Sequence, residues 1–111
     1  MLFRRTKSLS PSEAAAAVAR CELQLVDVRQ AAEVAPARVA GATHIPLREL
    51  RRRLREINHE IPVAFVCRSG HRSAVATRMA ADAGLDAANV KGGMIAWSRA
   101  GLPVVIDTVA A

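Results

Sequence analysis

Residues 63–80 read VAFVCRSGHRSAVATRMA: an apolar, strand-like run ends at Cys67 and passes into a short polar loop and a helix-like pattern. A lone cysteine at the end of a buried strand is ordinarily packing, because free cysteine behaves as a small hydrophobe. The neighbours of Cys67 argue for chemistry instead. Arg68 and Arg72 supply fixed positive charge, and Ser69 and Ser73 supply hydroxyl donors. Gly70 lets the loop bend without a Cβ penalty. Backbone N–H groups in such a loop, and at the start of the helix after it, have no partner within the helix and point at the sulfur or at an anion beside it. All of these favour thiolate over thiol and make Cys67 a nucleophile candidate. His71 lies in the same loop, and its simplest reading is a solvent-facing tip residue.

Other residues carry weaker signals. Asp27 and Arg29 stand at the end of an apolar run and are expected to pair and hold that strand end, a scaffolding role rather than direct catalysis. Cys21 follows a helix pattern and reads as a small buried residue. With only two cysteines, no CxxC pair and no His/Cys cluster, neither a disulfide framework nor a metal site is expected. No cofactor is called for. Trp97 is expected to pack between the last helix and the sheet. The arginines at 48–55 read as a solvated helix face partly paired with Glu49, Glu56 and Glu60. A net charge of +6 permits anionic partners. Three aromatic residues, no tyrosine and no base-reading motif argue against nucleic acid.

The elements that must position Cys67 follow from the hydrophobic pattern. Ser10, Pro11 and Glu13 form a helix start with a capping box. LQLVDV (23–28) is a strand, QAAEV a helical turn broken at Pro36, and THIP a short strand stopped by Pro46. Leu47, Leu50, Leu54 and Ile57 make one apolar stripe on a helix. PVAFVC is a strand buried on both faces, SAVATRMAADAG a helix ending at Gly84, NVKGG a last short strand and turn, and MIAWSRAG a last helix. Strand and helix alternate, which predicts an α/β fold with a mainly parallel sheet of four to five strands and helices on both faces. The 111 residues make a single domain, with its core over roughly 8–105. The first seven residues and the tail DTVAA are expected to fray. No apolar run reaches the roughly 20 residues of a membrane span. No export signal is apparent behind the basic start, so a cytoplasmic location with reduced thiols is expected.

Four segments, in order, resemble the rhodanese-type sulfurtransferases over roughly residues 8–105: LVDVR, VAGATHIPL, the loop CRSGHRS, and VKGGMIAWSRAGLPV. Glu33 falls where that family often has an acidic residue. The resemblance implies a rhodanese-like fold and a sulfane sulfur carrier. Cys67 would take sulfur from thiosulfate or a persulfide donor, with the loop 68–73 cradling the anion, and pass it to a thiophilic acceptor, cyanide in the test tube or a small or protein thiol in the cell. Dual-specificity phosphatases of the cell-division-cycle type share the fold but carry a loop one residue longer. Here four residues separate Cys67 from Arg72, which favours sulfur over phosphate or arsenate chemistry. A non-catalytic docking module is the other alternative, and the complete loop with its thiol speaks against it. Ala37-Arg38 replaces the family's common Gly-His, which leaves the turn there open, and Gln30 replaces a frequent acidic residue.

Overall fold

The computed structural model describes residues 7–107. Five parallel strands form the central sheet in the order β1 (Lys7–Leu9), β6 (Ala87–Val90), β5 (Val63–Val66), β2 (Gln24–Asp27), β4 (Thr43–His44). A separate antiparallel pair joins β3 (Ala37–Arg38) to β7 (Val105–Ile106). The helices are α1 (Pro11–Ala19), α2 (Ala31–Val34), α3 (Leu47–Arg53), α4 (His71–Asp82) and α5 (Gly93–Arg99). The expected α/β architecture with a mainly parallel sheet is what the chain adopts.

β5 is the spine. Successive side chains of a strand point to opposite faces, so Val63 and Phe65 enter one core with Leu50, Ile57, Ala76 and Ala80, while Ala64 and Val66 enter the other with Ala14, Val90, Met94 and Trp97. All four β5 residues are fully buried, which explains the unbroken apolar run. The first core lies under α3 and α4, the second under α1 and α5. Trp97 packs as expected, and its indole N–H donates to the Pro103 carbonyl at 3.1 Å.

The α1 cap forms as read: the Ser10 hydroxyl accepts the Glu13 N–H at 3.1 Å and the Glu13 carboxylate accepts the Ser10 N–H at 2.8 Å. Other expectations need correction. Cys21 is exposed, not buried, at φ +60°. Its N–H bonds the Val18 carbonyl and the Glu22 N–H bonds the Ala17 carbonyl, so Cys21 occupies the left-handed position of a Schellman stop, turned to solvent. The helix read over 47–57 ends at Arg53 and tightens into a 3₁₀ turn at Leu54–Glu56, although Leu50 and Ile57 stay buried. Arg52 and Arg53 do pair with Glu49, and Arg53 with Glu56, but Glu60 joins no ion pair among the described residues. Lys7 and Asp107, read as frayed, are tied down: Lys7 opens β1, and Asp107 bonds the Pro36 carbonyl and the Arg38 guanidinium. The remaining terminal residues, 1–6 and 108–111, lie outside the described ones. At the turn that the sequence leaves open, Arg38 lies in β3 opposite Val105 of β7 and pairs with Asp107 just beyond it.

Candidate active site

All five central strands run parallel, so their carboxyl ends share one edge, the place where ligands gather in open α/β sheets. Cys67 ends the central strand there, with 1 % of its surface exposed. Its Sγ receives two hydrogen bonds, from the Gly70 N–H at 3.1 Å and from the Ser73 hydroxyl at 3.2 Å. Burial pushes the Cys67 thiol up. The Ser73 hydroxyl and the backbone N–H groups of Ser73, Gly70 and Ser69 outweigh that burial and bring the thiol below its usual range. The positive end of α4 therefore faces the sulfur.

Several contacts fix the loop in that shape. Gly70 caps α4 at φ +108°, a backbone conformation costly for any side chain. The Asn89 amide, at the end of β6, donates to the Gly70 carbonyl at 3.1 Å. From beneath, the first turn of α5 holds the loop: the Met94 N–H donates to the Cys67 carbonyl at 2.8 Å and the Ile95 N–H to the Arg68 carbonyl at 3.1 Å. Gly93 makes this approach possible, since a Cβ there would run into the Cys67 carbonyl and sit 2.6 Å from the Arg68 carbonyl carbon.

The two loop arginines differ. Arg68 is exposed and has no ion-pair partner among the described residues. Arg72 is half-buried and bidentate to Glu33 of α2, at 2.7 and 2.8 Å. That pairing holds the Glu33 carboxyl at about 2, with the Arg72 hydrogen bonds as the largest cause. Arg72 is therefore a clasp between α4 and α2 before it is a free cation. The Ser69 hydroxyl lies 3.1 Å from the His71 Nδ1, both exposed, and Ser69 faces the sulfur through its backbone alone. His71 opens α4 rather than sitting at a loop tip.

Asp27 and Arg29 form the buried pair that their spacing predicts, at 2.8 Å, and Arg29 reaches on to the carbonyls of Glu33 and Ala37. His44 Nε2 lies 2.6 Å from the Arg29 carbonyl. A carbonyl only accepts, so the ring proton sits on Nε2. These bonds brace the end of β2 and carry the brace through Glu33 to Arg72. The structure gathers Cys67, Gly70 and Ser73 around the sulfur, and it sets Asp27 and Arg29 behind them as support. Sequence reasoning missed Asn89 and His44, which carry no local pattern, and Glu33 was legible only as an acidic position in a resemblance.

Comparisons with known proteins bear on the family and the fold. The sequence profile of the Rhodanese-like domain matches residues 10–100. A sulfurtransferase of Allochromatium vinosum is 38 % identical over 85 residues, 76 % of this chain and 79 % of that protein. The thiosulfate sulfurtransferase GlpE of Actinobacillus pleuropneumoniae serotype 3 is 30 % identical over 97 residues, 86 % of this chain and 90 % of that one. The crystal structure of a rhodanese-related protein from Thermoplasma volcanium superposes with a TM-score of 0.85 at 28 % identity, covering 91 % of this chain and 99 % of that one. A profile that runs from the α1 cap past the end of α5, and relatives that match most of their own length, place this chain in the rhodanese-like domain family.

Proposed function

We propose that this protein is a sulfurtransferase whose Cys67 carries sulfane sulfur as a persulfide, with thiosulfate or a persulfide as donor and a thiol as acceptor. The observation that carries the reading is the pair of donors on Cys67 Sγ, the Gly70 N–H and the Ser73 hydroxyl, which hold a thiolate where a four-residue loop closes around it. The thiolate attacks the outer sulfur of thiosulfate. A bond forms between Sγ and that sulfur, the S–S bond of thiosulfate breaks, and its electron pair leaves with sulfite. The charge then sits on the outer sulfur of the persulfide, within reach of loop N–H groups that act as an oxyanion hole does. Arg68 at the rim attracts the dianion. Ser69 and His71 line the mouth, the Arg72–Glu33 clasp keeps the loop closed, and Asp27 with Arg29 props the strand end.

Incubation with thiosulfate is expected to add the mass of one sulfur atom to Cys67, removed again by cyanide with thiocyanate as product. Cys67→Ser should take up no sulfur and show no turnover. Uptake of sulfur by that variant, or none by the intact protein from any donor, would sink the reading.

A further inference from the structure

Beside the cysteine loop, at the same edge of the sheet, lies a groove of about 480 Å³ between α2 and the start of α3. That volume suits a small molecule rather than a protein segment. Val28, Ala31, Pro46 and Leu47 make part of the groove lining apolar. Arg72 belongs to both sites. It lines the groove, while the hydroxyl of Ser73, the next residue, donates to Cys67 Sγ.

Charge on the groove wall is uneven. Arg48, Arg53 and Arg72 line it, against Glu49 as the one carboxylate in the lining. Arg53 is occupied by Glu49 and Glu56, each at 3.0 Å, and Arg72 by Glu33. Arg48 is exposed and has no ion-pair or hydrogen-bond partner among the described residues. The groove thus offers apolar lining together with one guanidinium, that of Arg48, that has no partner among the described residues. A guanidinium binds a carboxylate in a planar, two-bonded fork.

We propose that this groove is the acceptor site and that Arg48 selects a small thiol bearing a carboxylate. The inference rests on the reading of Cys67 as a sulfur carrier. The acceptor lies with its carbon chain on Val28 and Leu47, its carboxylate on Arg48, and its thiol directed past Arg72 to the persulfide. The acceptor sulfur attacks the outer sulfur of the Cys67 persulfide. A new S–S bond forms, the Cys67 Sγ–S bond breaks, and its electron pair returns to Sγ as thiolate. The thiol proton passes to the outer sulfur of the product persulfide. No external oxidant or reductant is required.

The test separates the two half-reactions. Full-length protein is loaded with sulfur from thiosulfate, freed of donor, and mixed with mercaptosuccinate, mercaptoethanol or cysteamine, with rates compared per thiolate. Mercaptosuccinate should discharge Cys67 about five-fold faster than mercaptoethanol, the scale of one exposed ion pair. Arg48→Glu should abolish that advantage and leave loading by thiosulfate and discharge by mercaptoethanol unchanged. Equal rates for all three thiols, or an Arg48→Glu loss shared by mercaptoethanol, would overturn the proposal. A cysteine peptide rich in aspartate that outruns mercaptosuccinate would overturn it in favour of a protein acceptor. S-methylmercaptosuccinate, which cannot accept sulfur, should shift the amide resonances of Leu47 and Arg48 in the intact protein and not in Arg48→Glu. This last measurement stands even if Cys67 takes up no sulfur, so failure of the carrier reading and failure of the groove are told apart.

Discussion

At Cys67 two effects oppose each other. Burial in a core that includes Phe65 and Ala76 penalises a thiolate, and hydrogen bonds from Ser73, Gly70 and Ser69 favour it. The favourable side wins, and the Ser73 hydroxyl is its largest contributor. A hydrogen bond to a charged group is worth roughly 1.5–3 kcal/mol, so its loss is visible in reactivity. Ser73→Ala is expected to move the pH profile of Cys67 alkylation by iodoacetamide to higher pH and to slow the reaction at pH 7 about tenfold. The direction follows from linkage: removing a donor to the anion raises the pKa, and less thiolate remains at neutral pH. An unchanged profile would show that the backbone N–H groups alone set the thiol. Sequence alone placed Ser73 near the cysteine, but only the helical start of α4 decides that Ser73 faces the sulfur while the Ser69 hydroxyl does not.

At the scale of elements, the loop is a joint between α4, α5 and α2, and each junction can be tested. Gly93 lets the first turn of α5 bond the Cys67 and Arg68 carbonyls, so Gly93→Ala pushes a methyl group into the floor of the cradle. That variant is expected to unfold at lower urea, by about 1–3 kcal/mol, and to lose thiosulfate turnover more than stability explains. Wild-type activity in Gly93→Ala would mean that the loop does not depend on α5. The Arg72–Glu33 clasp gives a pH signature. The Glu33 carboxyl, held at about 2 in the folded chain, titrates near its ordinary value when unfolded. Its stabilisation is therefore complete above the unfolded pKa and fades as pH falls toward the folded one. The stability gap between the protein and Glu33→Gln should be widest near pH 7 and narrow between pH 5 and about 2; a constant gap would remove the clasp from the acid response. The elements differ in how legible they were. β5 announced itself because a strand buried on both faces is apolar throughout. β1, β3 and β7 are two or three residues long at edges or in a side pair, too short to show a period. The clasp joins residues 39 apart in the chain, so topology and not local spacing creates it. Cys21 misled because its type suggests burial, while the helix stop that sets its conformation is made of backbone bonds.

At the scale of the whole molecule, the charge of the chain bears on the rate at which an anionic donor arrives. The net charge is +6, and Arg68 in the cysteine loop carries part of it. The neutralising pairs are local: Glu49 and Glu56 hold Arg53, and Glu33 holds Arg72. At the mouth of the loop Arg68 is exposed and has no ion-pair partner among the described residues, which extends the field beyond the cradle. Such a field steers a dianion and is screened as the Debye length falls from about 30 Å at 0.01 M salt to about 8 Å at 0.15 M. Raising salt across that range is expected to lower kcat/KM for thiosulfate several-fold, through KM more than kcat. Alkylation of Cys67 by iodoacetamide, a neutral reagent, should change little over the same range. Arg68→Ala should flatten the thiosulfate dependence, because it removes the cation nearest the mouth of the loop. Parallel salt effects on thiosulfate and iodoacetamide would instead trace the change to the thiol itself, and the field would then have no part in donor capture.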